Sequence, residues 1–241
     1  MPTKVKVLLI WEHLQCHHLV KGITMITTII QARTGSTRLP KKVLALIEGK
    51  PMLECVVRRT QQAKLVESVI VATTAKRDDM AIIQLADKMG IICNLGDEND
   101  VLSRYYETAK MFRADPIIRI TSDCPLIDPE IIDKTVDYYL KNDFDYVTNP
   151  GYPDGLDVEV FSFKIIKELW NRPLPYEHKE HVTSFIVDNP KLYKIGKVKC
   201  EHDLSHYHWS VDTMDDLRFV RHVYSELGKD FRLKNILEML K

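Results

Sequence analysis

The sequence predicts an α/β fold in which a mostly parallel sheet is flanked by helices. Two observations support this fold class. From Met25 onward, short β-branched runs alternate with amphipathic stretches, which is the pattern of strands joined by crossover helices. Apolar residues make up 45% of the 241-residue chain, enough to bury a sizeable core.

The first half of the chain gives the clearest elements. Buried strands are predicted at residues 26–31, 68–73, 91–95 and 116–121. Helices are predicted at residues 52–63, 101–113 and 129–140. A further helix is predicted to begin at Asp78 or Asp79 and to run to Met89. Residues that favour helix ends flank these segments: Pro51, Asp78 or Asp79, Gly90, Asp100 and Asp128.

The second half is less regular and includes an insertion. A loop rich in turn residues at 149–155 precedes an alternating strand at 156–161. Further strands are predicted at 146–148, 192–200 and 207–211. Further helices are predicted at 163–170 after a Ser162 cap, at 176–188, at 213–227 before Gly228, and at 233–240.

Residues 1–24 form an amino-terminal extension ahead of a single predicted domain at residues 25–241. Met25 directly precedes the first strand, so the extension is interpreted as a mis-assigned start. The alternative is an extra edge strand at residues 4–11. We expect a chain that begins at Met25 to fold and to keep full activity, unless that edge strand is part of the fold.

Charge and composition exclude several classes of protein. The 34 basic and 34 acidic residues cancel, and there is no basic run, which argues against a nucleic-acid partner. No apolar run is long enough for a membrane span or a secretory signal. The five cysteines are odd in number and lack a C-x-x-C pair, which favours reduced thiols and a cytoplasmic location.

The loop at residues 31–42, which follows the first strand, predicts a phosphate site. Open parallel sheets bind ligands where strands end. Gly35 and small hydroxyl residues allow close approach of an anion, and four cations gather beside them. These cations are Arg33, Arg38, Lys41 and Lys42. The loop matches neither a Walker motif nor a dinucleotide G-x-G pattern, and the alternative interpretation is a solvated basic turn.

Two aspartates at predicted strand ends are candidate metal ligands. Asp123 follows the fourth strand, and one or two such carboxylates together with substrate phosphates are the usual ligands of Mg²⁺. Asp212 follows a later strand and is either a second metal ligand or a helix N-cap. Thr213 is able to take the cap in its place.

Two other groups have metal-ligand chemistry but unsuitable positions or spacing. Asp143 and Asp145 form a D-x-D pair but precede a strand, so they are interpreted as turn residues at the amino edge of the sheet. The other group matches no usual zinc spacing and consists of Cys200, His202, His206 and His208.

Three segments resemble the CMP-Kdo and acylneuraminate cytidylyltransferases. Residues 31–42, QARTGSTRLPKK, resemble the signature P-A-R-x-x-S-T-R-L-P-x-K, with Gln31 in place of the leading proline. Residues 121–127, TSDCPLI, look like Q-G-D-x-P-L-I, and residues 211–217, VDTMDDL, look like V-D-T-P-x-D-L. The order of the segments matches, and the resemblance extends from residue 25 to about residue 227.

Three further segments are similar to the spore-coat polysaccharide biosynthesis branch of this family. They are DVLSRY at 100–105, YPDGLDVEVFS at 152–162 and EHVT at 180–183. Two departures concern the second substrate: Cys124 replaces a glutamate of the CMP-Kdo enzymes, and Lys179 replaces an expected arginine.

The resemblance implies a nucleotide-diphospho-sugar transferase-like fold and a specific activity. The chain would transfer CMP from CTP to a sialic-, legionaminic- or Kdo-like sugar acid, with Mg²⁺, and release pyrophosphate for surface polysaccharide synthesis. The implied catalytic residues are Arg33, Lys42, Asp123 and Asp212, of which the two aspartates would bind the metal. The implied nucleotide-binding residues are Gln31, Ala32, Arg33, Gly35, Ser36, Thr37, Arg38, Lys42 and Ser122. The predicted acceptor-binding residues are Tyr152, Asp154, Asp157, Glu159 and His181.

Two other functions and one structural question stay open at this point. A nucleotide-sugar-dependent glycosyltransferase would use the same sheet and metal, since a fold does not fix a function. A non-catalytic nucleotide-binding subunit of a polysaccharide system is the second alternative. The residues assign no general base, and they leave open whether the chain forms a homodimer.

Overall fold

The structure is a computed structural model that describes residues 24–241. The predicted extension, with its alternative edge strand at 4–11, lies outside the described residues. The strands are β1 (Met25–Gln31), β2 (Leu46–Ile47), β3 (Lys50–Pro51), β4 (Ser68–Thr74), β5 (Ile92–Gly96), β6 (Ala114–Thr121), β7 (Tyr146–Thr148), β8 (Glu159–Phe161) and β9 (Ile195–Lys197). The helices are α1 (Met52–Thr60), α2 (Met80–Met89), α3 (Val101–Phe112), α4 (Pro129–Leu140), α5 (Phe163–Trp170), α6 (Tyr176–Glu180), α7 (Ser184–Asp188), α8 (Met214–Leu227) and α9 (Leu233–Met239).

The main sheet of the described chain has seven strands in the order β5-β4-β1-β6-β8-β7-β9. All neighbouring pairs are parallel except those of β8, which runs antiparallel to β6 and β7. Gln31 at the end of β1 pairs with Ala72 of β4 and with Thr121 of β6. The carboxyl ends of these strands therefore meet at one edge of the sheet, where ligands bind in such folds. The predicted fold class is confirmed.

Helices cover both faces of the sheet because successive strand residues point in opposite directions. Ile30 belongs to the core cluster that includes residues of α1, α2, α4, α8 and α9. Its neighbour Ile29 belongs to the cluster that includes residues of α3, α5 and α7. Both isoleucines are fully buried. Within residues 24–241, no helix combines the length and apolar character that crossing a bilayer requires.

The predicted helix ends agree with the structure at most positions. Asp100 accepts a hydrogen bond from the Ser103 N–H (2.7 Å), and Asp128 accepts one from the Glu130 N–H (2.9 Å). Ser162 caps α5 in the same way. Gly90 ends α2 with a positive φ of 69°, a conformation that glycine adopts at little cost. These four residues predicted to lie at helix ends are therefore confirmed.

Two predictions in the second half are wrong. Residues 207–211 do not form a strand, because their backbone pairs with a loop instead. His208 makes an isolated bridge with Asp154, and the Val211 N–H donates to the Asp123 carbonyl (2.8 Å). The single helix predicted at 176–188 is two short helices, α6 and α7, because the buried Val182 between them takes a left-handed φ of 50°.

The D-x-D pair precedes β7, as expected of turn residues. The Asp145 carboxylate accepts a hydrogen bond from the Lys194 N–H (2.8 Å), and Asp143 forms an exposed ion pair with the Lys194 side chain. Both aspartates therefore join β7 to the segment that leads into β9.

Candidate functional site

A cavity of about 450 Å³ opens at the carboxyl edge of the sheet. It lies between the loop after β1, the end of β6 and the start of α3. All of the residues predicted to bind nucleotide line it: Gln31, Ala32, Arg33, Gly35, Ser36, Thr37, Arg38, Lys42 and Ser122. Asp123, Asp212 and His181 also line it.

The loop after β1 is fastened to the sheet by Asp79. This buried carboxylate accepts hydrogen bonds from the Thr34 N–H and hydroxyl, both at 2.7 Å, and from the Thr74 hydroxyl. The sequence offered Asp78 or Asp79 as the N-cap of the helix that ends at Met89, and Asp79 does occupy the N-cap position. Its side chain makes no capping bond there, because the carboxylate fixes the loop instead.

Lys42 lies at the centre of the site and has three acceptors. Its Nζ is 2.8 Å from Asp123 Oδ2, 3.0 Å from Asp212 Oδ1 and 2.8 Å from the Val211 carbonyl. Its side chain is only 12% exposed. Burial lowers the pKa of Lys42, but the neighbouring Asp123 and Asp212 outweigh it and raise that pKa above its ordinary value.

The two candidate metal ligands converge on Lys42 although they are far apart in the chain. Burial raises the pKa of Asp123, but the Lys42 ammonium more than offsets this and holds the pKa below its ordinary value. Asp212 also forms an ion pair with Arg38 (2.8 Å). Thr213 and Asp216 form a capping box at the start of α8, so Asp212 is not needed as the cap.

The donor set at this point fits a hard divalent cation. The carboxylates of Asp123 and Asp212 lie close together, each within 3.0 Å of the Lys42 ammonium that sits between them. Mg²⁺ is commonly bound by one or two carboxylates plus phosphate oxygens. Across residues 24–241, no group of three or more His, Cys, Asp or Glu side chains is arranged to hold a metal ion.

The other cations of the loop differ in their surroundings. Arg33 pairs with Glu180 (2.8 Å), and its side chain is 40% exposed. Arg38 is more exposed still. Lys41, which does not match the motif, is exposed and is not among the residues that line the cavity. The structure thus separates Lys41 from the three other loop cations.

The predicted acceptor residues fall into two groups. His181 lines the cavity, and Glu159 lies behind it, where its carboxylate pairs with the cavity residue Arg119. Burial raises the pKa of Glu159, but Arg119 outweighs this and lowers it, aided by hydrogen bonds from Tyr146 and Thr183. Glu159 therefore contacts a residue of the cavity wall and does not itself line the cavity.

The other three predicted acceptor residues do not line this cavity. Tyr152 is buried and accepts a hydrogen bond from Lys134 (3.1 Å). Asp154 pairs with His208 (2.5 Å). Asp157 accepts the Gly155 N–H (2.9 Å), and burial of its carboxyl raises its pKa to about 6, although part of the side chain is exposed. An acceptor role for these residues stays a prediction.

Several residues of the site were missed in the sequence. Among them, Asp79 anchors the loop, while Arg104 of α3, Arg119 of β6 and Glu180 line the cavity. A signal existed for Arg119, which interrupts the apolar strand segment at 116–120, and a buried arginine needs a partner or a function.

Comparison with known proteins agrees with this geometry. A family model described as cytidylyltransferase matches residues 27–238. An uncharacterized protein of Methanocaldococcus jannaschii is 40% identical over 86% of this chain and 85% of its own length. The spore coat polysaccharide biosynthesis protein SpsF of Bacillus subtilis is 29% identical over 83% of this chain and 87% of its own.

Solved structures show the same fold. A cytidylyltransferase from Leptospira borgpetersenii superposes with a TM-score of 0.86 at 31% identity, over 90% of this chain and 94% of its own. A CMP:2-keto-3-deoxy-manno-octonic acid synthetase complexed with CTP superposes with a TM-score of 0.67 at 20% identity, over 83% of this chain and 98% of its own. Because the family model spans nearly all of the described residues, the chain belongs to the cytidylyltransferase family.

Proposed function

We propose that the chain transfers CMP from CTP to a sialic-, legionaminic- or Kdo-like sugar acid, giving a CMP-sugar and pyrophosphate. The observation that carries the proposal is that one cavity holds the cationic loop after β1 and the carboxylates of Asp123 and Asp212 together. The synthetase structure with CTP supports the nucleotide. The name of the Bacillus subtilis relative supports a role in surface polysaccharide synthesis.

The chain's own residues bind and neutralise the triphosphate. Arg33 and Arg38 are partly exposed and carry their charge on long side chains, so they are able to turn toward phosphate oxygens. Lys42 is held by three acceptors and needs little reorganisation to stabilise charge that develops during transfer. A sugar hydroxyl would attack the α-phosphorus in line and give up its proton to water, while the bond from the α-phosphorus to the bridging oxygen breaks and pyrophosphate leaves with its electron pair.

A divalent cation, Mg²⁺ or Mn²⁺, would be held by Asp123 and Asp212. When bound, it would withdraw charge from the α-phosphate and lower the pKa of the attacking hydroxyl. On the acceptor side, His181 lines the cavity and Glu159 fixes Arg119, whose guanidinium suits the carboxylate of a sugar acid. Tyr152, Asp154 and Asp157 are proposed to contact the rest of the sugar.

The test is to incubate the protein with each nucleoside triphosphate, Mg²⁺ and a panel of sugar acids, and to measure pyrophosphate. We expect release only when CTP and a sugar acid are both present. In a parallel reaction supplied with a nucleotide-sugar, consumption of that compound with transfer of its sugar would instead support the glycosyltransferase. Binding of CTP without any release across the panel would support a nucleotide-binding subunit.

A further inference from the structure

The loop that carries Asp123 is buried behind the carboxylate. Residues 122–128 join the end of β6 to the start of α4, and every residue from Cys124 to Asp128 is buried. The Asp123 side chain itself is partly exposed and lines the cavity. Backbone carbonyls in a buried loop need hydrogen-bond donors from the rest of the protein, because leaving them unpaired costs free energy. The donors that the fold supplies therefore set the shape of this loop.

Two side chains from other elements hold the loop by its carbonyls. The Tyr224 hydroxyl of α8 donates to the Pro125 carbonyl (2.8 Å), and Arg59 Nε of α1 donates to the Ile127 carbonyl (2.7 Å). Both hydrogen bonds are buried. The rings of Tyr224 and Phe231 are perpendicular with centres 5.2 Å apart, and the Arg59 guanidinium lies 3.9 Å from the centre of the Phe231 ring. The packing on Phe231 therefore fixes both donors in place.

Helix α8 also has the second candidate metal ligand at its amino end. Asp212 directly precedes the capping box of α8, and its N–H donates to the Asp216 carboxylate (3.0 Å). One residue earlier, the Val211 N–H donates to the Asp123 carbonyl (2.8 Å). The first turn of α8 therefore holds Asp212, while the Asp123 loop is bound at two points, by Val211 just before α8 and by Tyr224 near its end.

These contacts tie both candidate metal ligands to one helix. Asp123 reaches the site from the end of β6, whereas Asp212 comes from the start of α8. The hydrogen bond between Tyr224 and Pro125, two residues after Asp123, joins these two supports. Mg²⁺ requires its oxygen ligands at about 2.0–2.1 Å in a nearly octahedral arrangement, so a small shift of one carboxylate against the other weakens its binding.

We propose that Tyr224 is a positioning residue for the divalent cation: through the Pro125 carbonyl, it holds Asp123 at the place beside Asp212 where both bind the ion. The inference rests on the proposed function. Tyr224 is not among the residues that line the cavity, so it acts on the site through the backbone of the Asp123 loop. Groups that orient a metal ligand in this way affect metal affinity although they do not touch the ion.

The experiment measures CTP affinity by calorimetry, once with Mg²⁺ and once with EDTA, for the full chain and for Tyr224→Phe. Phenylalanine keeps the ring that packs on Phe231 and removes only the hydroxyl. We expect the gain in CTP affinity that Mg²⁺ provides to fall about tenfold, the usual effect of removing a group that orients a metal ligand. CTP affinity in EDTA should equal that of the wild type, because Tyr224 does not line the cavity.

Tyr105→Phe is a matched control. Tyr105 is also buried, and its hydroxyl donates to the carbonyl of Ile29 (3.0 Å) in β1, which is paired on both sides. Both variants should melt about 2–4 °C below the wild type, because each leaves a buried carbonyl without its donor. Only Tyr224→Phe should lose the gain from Mg²⁺. Asp123→Asn should abolish that gain and so defines a complete loss.

Two results for Tyr224→Phe would overturn the inference. A gain from Mg²⁺ no smaller than that of Tyr105→Phe would leave the hydroxyl with a structural role alone. Equal weakening of CTP binding with Mg²⁺ and with EDTA would mean that the variant disturbs the nucleotide site as a whole. Failure of the proposed function gives a different result, seen without Tyr224→Phe: the wild type shows no gain from Mg²⁺, or Asp123→Asn keeps it. Either result would overturn the cation site and this inference together.

Discussion

Lys42 shows how one side chain holds the candidate site together. Its ammonium bridges Asp123 and Asp212 and also binds the Val211 carbonyl. Removing any of the three charged groups changes the electrostatics of the whole cluster, because the remaining charges lose their partner. Substitutions of Lys42, Asp123 or Asp212 therefore change the charge of the site and the positions of the remaining side chains together.

Asp123→Asn and Asp212→Asn should each reduce the rate about a hundredfold, a loss of about 3 kcal/mol of transition-state stabilisation. The reason is that each amide keeps the shape of the carboxylate but binds a divalent cation poorly. Both side chains are partly exposed, so the melting temperature should change little. Turnover at saturating Mg²⁺ and thermal melting check this, and near-wild-type turnover would remove that residue from the metal site.

Lys42→Ala and Arg33→Ala should weaken CTP binding or slow turnover, whereas Lys41→Ala should have much less effect. Lys42 and Arg33 line the cavity, while Lys41 is exposed and does not. Calorimetric titration of CTP measures the contrast. Equal weakening in all three variants would mean that the loop acts as a diffuse basic patch.

At the scale of elements, the loop after β1 depends on a contact from the turn before α2. The Asp79 carboxylate receives three hydrogen bonds from Thr34 and Thr74 and is itself buried. It therefore joins the end of β4 to the loop that carries Arg33 and Lys42.

Asp79→Ala should cost about 2 kcal/mol of stability, because it leaves buried donors unpaired. It should also raise KM for CTP by about tenfold, since the loop cations lose their fixed position. Urea unfolding and steady-state kinetics measure the two effects. Asp78→Ala is the control, since Asp78 is exposed next to Asp79 and should change neither quantity. A normal KM in Asp79→Ala would mean that the loop holds its shape without this anchor.

At the scale of the whole molecule, the Arg119–Glu159 pair joins β6 to β8, where the sheet changes from parallel to antiparallel pairing. Both side chains are mostly buried. Glu159→Gln should cost about 3 kcal/mol of unfolding free energy, because Arg119 would stay buried without its counter-charge. Glu168→Gln breaks a surface pair with Arg172 and should cost less than about 1 kcal/mol.

The difference in unfolding free energy between the wild type and Glu159→Gln should depend on pH, and the sign of that dependence follows from the pKa of Glu159. Arg119 and hydrogen bonds outweigh burial and hold the pKa of Glu159 below its ordinary value of 4.5 in the folded chain. The stability that the ionised Glu159 contributes is therefore fully present above about pH 4.5. It is lost as the pH falls through the lowered pKa of Glu159 in the folded chain. Urea unfolding from pH 7 to pH 3 should show the wild-type advantage over Glu159→Gln shrinking in acid. If the difference in unfolding free energy stayed constant from pH 7 to pH 3, Glu159 would not have the lowered pKa that the ion pair with Arg119 predicts.

The sequence by itself determined the elements whose signals are local. Strands β1, β4, β5 and β6 and the caps Asp100, Asp128 and Thr213 were predicted, because periodicity and capping act between residues a few positions apart. The motif at residues 31–42 identified the loop that lines the cavity, since strand ends in a parallel sheet meet at one edge.

Only the tertiary structure decided how distant residues meet. Lys42 binds Asp123 and Asp212 across 81 and 170 positions, and Asp79 reaches Thr34 across 45. The segment at 207–211 has a strand-like pattern but pairs with a loop, and the Nε and Nη1 atoms of Arg104 are buried without a hydrogen-bond partner. Such contacts depend on how the elements pack in space, and no pattern of neighbouring residues encodes that packing.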